Sequence, residues 1–130
     1  KKFIAGLDAA AGRGARIFGE CGGYMVLGMG LVDADGARHA MAGLLPVETS
    51  FENRRLHLGY RHARLVGDGP LGAAGDAFRG HEFHYAEVLS EGPAAALFDC
   101  ANALGDDLGG AGLAAGNVVG SFIHLVDRDD

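Results

Sequence analysis

Ala15-Arg16-Ile17-Phe18-Gly19-Glu20 runs into Cys21-Gly22-Gly23 and then into Tyr24-Met25-Val26-Leu27-Gly28, and this stretch decides the fold. Residues 15–20 read as a short strand. The two glycines turn the chain, and the apolar residues after them form a short helical segment that ends at Gly28. A nucleophile between small residues, after a strand and before a helix, has the geometry of a nucleophile elbow. The turn is strained, so glycine is expected on both sides of Cys21, where Cβ atoms would collide with strand and helix. The N-terminus of the helix after Cys21 supplies N–H groups and positive potential, which favour the thiolate. The N–H of Gly22 would face an oxyanion formed when that thiolate attacks a carbonyl. The plain alternative is a small buried cysteine at a strand end.

A thiolate nucleophile needs a base. The histidines are His39, His57, His62, His81, His84 and His124. His124 is the choice, because Val118-Val119-Gly120-Ser121-Phe122-Ile123 reads as an apolar strand that delivers it at its end. Parallel strands present their C-terminal ends to one crevice, so the fold rather than local sequence would pair His124 with Cys21. His39, His57 and His62 sit amid strand or turn residues and read as surface or interstrand histidines.

Further outward, residues 1–13 form a helix. Phe3, Ile4 and Leu7 recur at helical spacing, and Gly12 and Gly14 are stop signals. Asp33-Ala34-Asp35-Gly36 is a hairpin-type turn. Residues 44–50, 56–66 and 82–89 are strand candidates. Residues 67–75 form a Gly-rich surface loop, and no GK[ST] follows to make it a phosphate cradle. Residues 95–102 and 113–115 are expected to pair as a hairpin across 105–112. There is no internal repeat and no linker to a second domain.

Composition sets outer limits. The chain has 130 residues, which is one domain or part of one. Lys plus Arg is 11 and Asp plus Glu is 17, a net charge of −6, which makes the chain a poor candidate for a phosphate-backbone binder, since that needs a basic face. The hydrophobic fraction of 48% suffices for a packed core. No apolar run approaches the roughly 20 residues that span a bilayer, and no charged-then-apolar leader is visible. Cys21 and Cys100 read as thiols rather than a disulfide framework, which makes the cytoplasm the default compartment. Cys100 sits in an Ala/Leu/Phe stretch and reads as a small buried apolar residue.

Arg79-Gly80-His81-Glu82-Phe83-His84-Tyr85 is not HExxH, since its histidines are three apart. On a strand Glu82 and His84 share one face and His81 takes the other. A metal site is not expected, because Cys21 is better explained as a nucleophile.

In order along the chain stand Gly19-Glu20-Cys21-Gly22-Gly23-Tyr24-Met25-Val26-Leu27-Gly28, Leu58-Gly59-Tyr60-Arg61, residues 79–85, and Gly120-Ser121-Phe122-Ile123-His124. Together they resemble the C-terminal glutamine amidotransferase domain of cobyrinic or hydrogenobyrinic acid a,c-diamide synthases, a branch of the class I glutamine amidotransferases. The resemblance runs from about residue 10 to 125. It implies an α/β fold: an open, mixed, largely parallel sheet flanked by helices, flavodoxin-like. It implies Cys21 as the nucleophile that attacks glutamine's side-chain amide, and His124 as the group that deprotonates it and protonates the leaving ammonia. Gly22 matches an oxyanion donor. Ordinary class I enzymes carry Gln where Met25 stands and Glu where Val126 stands. Both departures look like the cobalamin-synthesis branch, and Met25 favours the a,c-diamide synthase over cobyric acid synthase. What orients His124 stays open.

The resemblance also implies a partial amidotransferase domain over 1–130. An upstream strand with a Gly-Gly turn, and an ATP-binding synthetase domain with magnesium, would lie outside this sequence, so no cofactor is expected within it. Little or no glutaminase activity is expected from these residues alone. Glutamine and, through the synthetase domain, a corrinoid are the expected partners, with no nucleic acid and no membrane; oligomeric state stays open, a homodimer included. Glu82 is a candidate for supporting the Cys–His pair or binding glutamine's α-amino group, against a structural hydrogen bond, and His84 stands beside it. Arg55 and Arg61 are candidates for glutamine's α-carboxylate, against plain solvated arginines. The competing functions are a cysteine peptidase or redox-responsive domain of the same superfold, and a non-catalytic docking domain.

Overall fold

Short connections dominate the chain, and they set its pairing. The computed structural model describes residues 2–53 and 55–129. The elements are α1 (Lys2–Gly12), β1 (Ile17–Glu20), α2 (Gly22–Leu27), β2 (Gly30–Val32), β3 (Arg38–Ala40), β4 (Val47–Ser50), β5 (His57–Leu65), β6 (Ala77–His84), β7 (Glu87–Glu91), β8 (Ala95–Ala101), β9 (Asp107–Ala115), β10 (Val118–Ser121) and β11 (Ile123–Arg128). The first helix ends as its glycines require: Gly14 takes φ +79° and its N–H bonds the carbonyl of Ala11 at 3.0 Å. Lys1, where the sequence places the helix start, lies outside the described residues.

One sheet has seven strands in the order β1-β10-β9-β8-β5-β6-β11, and a second has the order β3-β2-β4-β7. The α/β class and the mixed sheet agree with expectation. The proportion of parallel pairing does not. Among the described residues only β1–β10 in the large sheet and β2–β4 in the small one are parallel; the other pairs run antiparallel. Parallel neighbours need a long crossover, whereas β9 reaches β10 through two residues, which forces an antiparallel return.

The large sheet is also rolled rather than open. One apolar cluster takes Phe18 from β1, Val119 from β10, Ala111 and Ala114 from β9, Phe98 and Cys100 from β8, Ala63 and Leu65 from β5, Phe78 from β6, and Ile123 and Leu125 from β11. Every strand of the sheet therefore faces one interior. Its two edges meet where Glu20 Oε2 accepts the N–H of Leu125 at 2.8 Å. A second cluster, including Tyr24, Leu27, Leu45, Val47, Leu113, Val118 and Phe122, joins α2 and the β9–β10 face to the small sheet. Cys100 is buried as expected, and burial pushes its thiol up to about 11. Among the described residues no helix is long and apolar enough to cross a membrane.

Three expected elements divide differently. Residues 82–89 split into the end of β6 and the start of β7 at a corner through Tyr85 and Ala86. The last strand breaks at Phe122, because β10 pairs beside β1 while β11 pairs beside β6. Ser121 Oγ accepts the N–H of Ile123 at 3.0 Å and secures that break. Phe122 then enters one cluster and Ile123 the other. The expected connection over 105–112 is largely strand; the chain turns earlier, with Gly105 at φ +85°.

Candidate active site

The elbow is built by close approach. A Cβ on Gly19 would lie 2.7 Å from both the backbone of Gly23 and Leu27 Cδ1, and one on Gly120 would lie 2.6 Å from Tyr24. Glycine at 19 and 120 thus lets α2 fold back onto β1 and β10. Nothing lies within 4 Å of a Cβ built on Gly22 or Gly23. Crowding therefore demands glycine before Cys21 but not after it, which corrects the expectation of two-sided crowding. Cys21 takes φ +54° and ψ −108°, the one positive φ of a non-glycine among the described residues. Such backbone costs on the order of 1–3 kcal/mol and persists only where the surroundings impose it. Here the N–H of Cys21 donates to the carbonyl of Ser121 at 2.9 Å, and its own carbonyl accepts the N–H of Met25 at 3.2 Å. The thiol is free and half-buried. Gly22 is exposed as the first residue of α2.

His124 stands second in β11 rather than at the end of a strand parallel to β1. Its segment is nevertheless tied to the elbow twice, through Cys21 to Ser121 and through Glu20 to Leu125. Its register partner on β6 is His81, with ring centroids 6.3 Å apart. A Cβ on Gly80 would run into the carbonyl of His124, so glycine there lets β11 approach β6 at this point. An open cavity of about 740 Å³ is lined by Leu58, Gly59, Tyr60, His81, Phe83 and His124.

Glu82, His84 and Arg61 come together, but on the other face of β6. Glu82 is the register partner of buried Ile123, and the period of two puts it opposite His81 and His124. Arg61 Nε donates to Glu82 Oε1 at 2.8 Å, and His84 Nε2 bonds Glu82 Oε2 at 2.9 Å. The His84 bond first, then the Arg61 bond and charge, hold the Glu82 carboxyl down at about 2 against burial. These contacts are the ones the structural alternative calls for, and among the described contacts Glu82 touches neither Cys21 nor His124. Arg61 is 17% exposed and donates also to the carbonyl of Tyr60, so it is not a plain solvated arginine. Arg55 is 75% exposed and approaches Glu87 at 3.5 Å.

Four rings missed as a group by sequence reasoning stack above this network. His57 lies on His84 (4.7 Å, 11°), His84 on Phe122 (3.9 Å, 18°), and Tyr24 meets Phe122 edge-on (5.3 Å, 88°). His57 bonds Glu87 Oε1 at 2.8 Å, and that bond lowers the Glu87 carboxyl. The hydroxyl of Tyr24 donates to Glu91 Oε2 at 3.0 Å. Burial, then the charge of Glu91, pushes the Tyr24 phenol far above its usual range. His57 and His84 are direct register partners across β5 and β6. Only that pairing, invisible in one dimension, reveals them as a stack. Glu20, one residue before the candidate nucleophile, was likewise passed over.

The model of the CobB/CobQ-like glutamine amidotransferase domain matches residues 1–130. A hydrogenobyrinate a,c-diamide synthase of Sinorhizobium sp. is 57% identical over 130 residues, covering 97% of this chain and 28% of the relative. One of Rhizobium meliloti (strain 1021) is 57% identical over 129 residues, covering 96% of the chain and 28% of the relative. One of Brucella anthropi is 51% identical over 126 residues, covering 97% and 28%. The chain thus spans a little over a quarter of the length of these relatives.

Proposed function

Because the chain belongs to the family of CobB/CobQ-like glutamine amidotransferase domains, we propose that it is the glutamine-hydrolysing part of a hydrogenobyrinate a,c-diamide synthase. The observation that carries this is the backbone of Cys21, held at φ +54° between β1 and α2 and tied to Ser121, three residues before His124. In the proposed reaction His124 takes the thiol proton and the sulfur attacks the side-chain amide carbon of glutamine. The N–H of Gly22 receives the developing oxyanion. The carbon–nitrogen bond then breaks, His124 returns the proton to the departing ammonia, and a γ-glutamyl thioester remains on Cys21. Water, deprotonated by His124, attacks the thioester; glutamate leaves and the thiol is restored. The ammonia passes to a separate ATP- and magnesium-dependent site on the synthetase part of the longer polypeptide, where it amidates the a and c carboxylates. The acceptor we assign is hydrogenobyrinate, as the relatives' names have it.

The test uses the full-length enzyme. Cys21→Ser is expected to abolish glutamine-dependent amidation while ammonia-dependent amidation survives, and a diazo-ketone glutamine analogue is expected to label Cys21. Glutamine-dependent amidation that persists in Cys21→Ser would reject the proposal.

A further inference from the structure

A base that works on a thiol must be held in place, and His124 has no carboxylate to hold it. Among the described residues its ring makes no hydrogen bond, Val126 stands two residues on, and Glu82 faces away. Beside the His81 ring, 6.3 Å away between centroids, what remains to place it is the backbone at the two ends of the segment 122–125. One end is fixed by the Glu20–Leu125 bond of 2.8 Å. The other end is Phe122, the corner between β10 and β11, and its ring is 7% exposed.

Two elements hold that ring. Tyr24, on the helix that follows Cys21, meets it edge-on, and His84 lies flat against it at 3.9 Å. Both the nucleophile's helix and the histidine's strand thus take their position from one aromatic ring. His84 is itself secured at both nitrogens, by Glu82 Oε2 at 2.9 Å and by the carbonyl of Ala86 at 2.9 Å. Those bonds pin the second corner, between β6 and β7, against the first. A cavity of about 300 Å³ opens beside Tyr24, His57, His84 and Phe122. Tight packing therefore does not close around the rings, and the polar anchors decide where they sit.

We propose that His84, acting through Phe122, is the positioning residue that sets His124 against Cys21, in place of a triad acid. This rests on the Cys–His reading above. The experiment measures glutamine hydrolysis by the full-length enzyme, with Cys21→Ser as the reference. Phe122→Leu stays apolar, though smaller, and loses the shared aromatic face; its kcat should fall roughly 10–100-fold, the scale of a small misplacement at a reacting centre. The KM for glutamine should stay within about twofold, as expected when only transition-state placement is lost. Phe122→Tyr should keep kcat within about threefold of the parent by the same logic. His84→Phe retains a stack but loses both anchors; it should shift the pH profile of kcat and change the NMR titration of the His124 ring. Ammonia-dependent amidation should be unchanged in all of these. Phe98→Leu, in the other apolar cluster, controls for loss of stability alone.

A folded Phe122→Leu or His84→Phe enzyme with the parent's kcat, pH profile and His124 titration would overturn the proposal. So would a loss of kcat matched by Phe98→Leu at equal melting temperature. If Phe122→Leu does not fold, the pH profile and titration in His84→Phe decide alone. Should Cys21→Ser retain glutamine hydrolysis, the Cys–His reading itself falls; if it does not and the ring variants are silent, only the positioning role falls.

Discussion

The two faces of β6 carry two different kinds of histidine. On the outer face His81 is exposed, neighbours His124, and looks onto a cavity with Leu58, Tyr60 and Phe83. On the inner face His84 is 8% exposed, bonded to Glu82 and stacked between His57 and Phe122. One peptide bond separates His81 from Glu82, yet strand geometry sends them to opposite environments. Carboxylates that sit close in sequence to a candidate base can thus serve the frame instead of the chemistry. The outer face is left with His124 beside His81 and with no carboxylate bonded to the His124 ring among the described residues.

The sharpest way to break this contrast is His124→Asn in the full-length enzyme. Loss of a general base costs roughly 10²–10⁴-fold, so glutamine hydrolysis should collapse while the thermal melt barely moves. Unchanged hydrolysis would erase the functional meaning of the outer face. On the inner face Glu82→Gln should act mainly on stability, with a smaller loss of hydrolysis through the weakened His84 anchor. It leaves Arg61 and His84 without their anionic partner, at a cost on the order of 2 kcal/mol, below the 3–5 kcal/mol of a fully buried pair. Denaturant unfolding would show it.

The same carboxylate gives a pH signature. Glu82 is held at about 2 in the folded chain against an ordinary 4.5. Between those values the unfolded chain binds more protons, so the stabilisation is complete above about 4.5 and is lost as pH falls toward about 2. Unfolding measured at several values in that window should fall more steeply for the parent than for Glu82→Gln; parallel curves would contradict the pairing. Gly80→Ala addresses the seam between the faces. The new Cβ would strike the carbonyl of His124, so β11 must shift, at about 1–3 kcal/mol for overpacking. Hydrolysis should fall with stability, whereas Glu82→Gln leans toward stability. The smallest effect belongs to Arg55→Ala. Its side chain is exposed, and melts should change by less than about 1 kcal/mol, with glutamine KM unchanged if it is a plain solvated arginine; a raised KM would support Arg55 as a ligand of glutamine's α-carboxylate.

What could be read in one dimension was local. The glycines that end α1, the turn at Asp33–Gly36, and the elbow at Gly19–Gly28 follow from which residues tolerate positive φ, end helices or allow close approach. The alternation of His81 against Glu82 and His84 also follows from the strand period alone. The strand breaks at Tyr85–Ala86 and Phe122, the antiparallel majority, the rolled sheet and the His57–His84–Phe122 stack do not. Each depends on which distant strand becomes the neighbour, and the hydrophobic pattern of Val118–Ile123 is the same whether it feeds one core or two. Glycine at position 19 was settled by steric limits within the elbow itself, against Gly23 and Leu27. The neighbours of His124 were settled only when the sheet closed and strand pairing chose His81 over Glu82 to stand beside it.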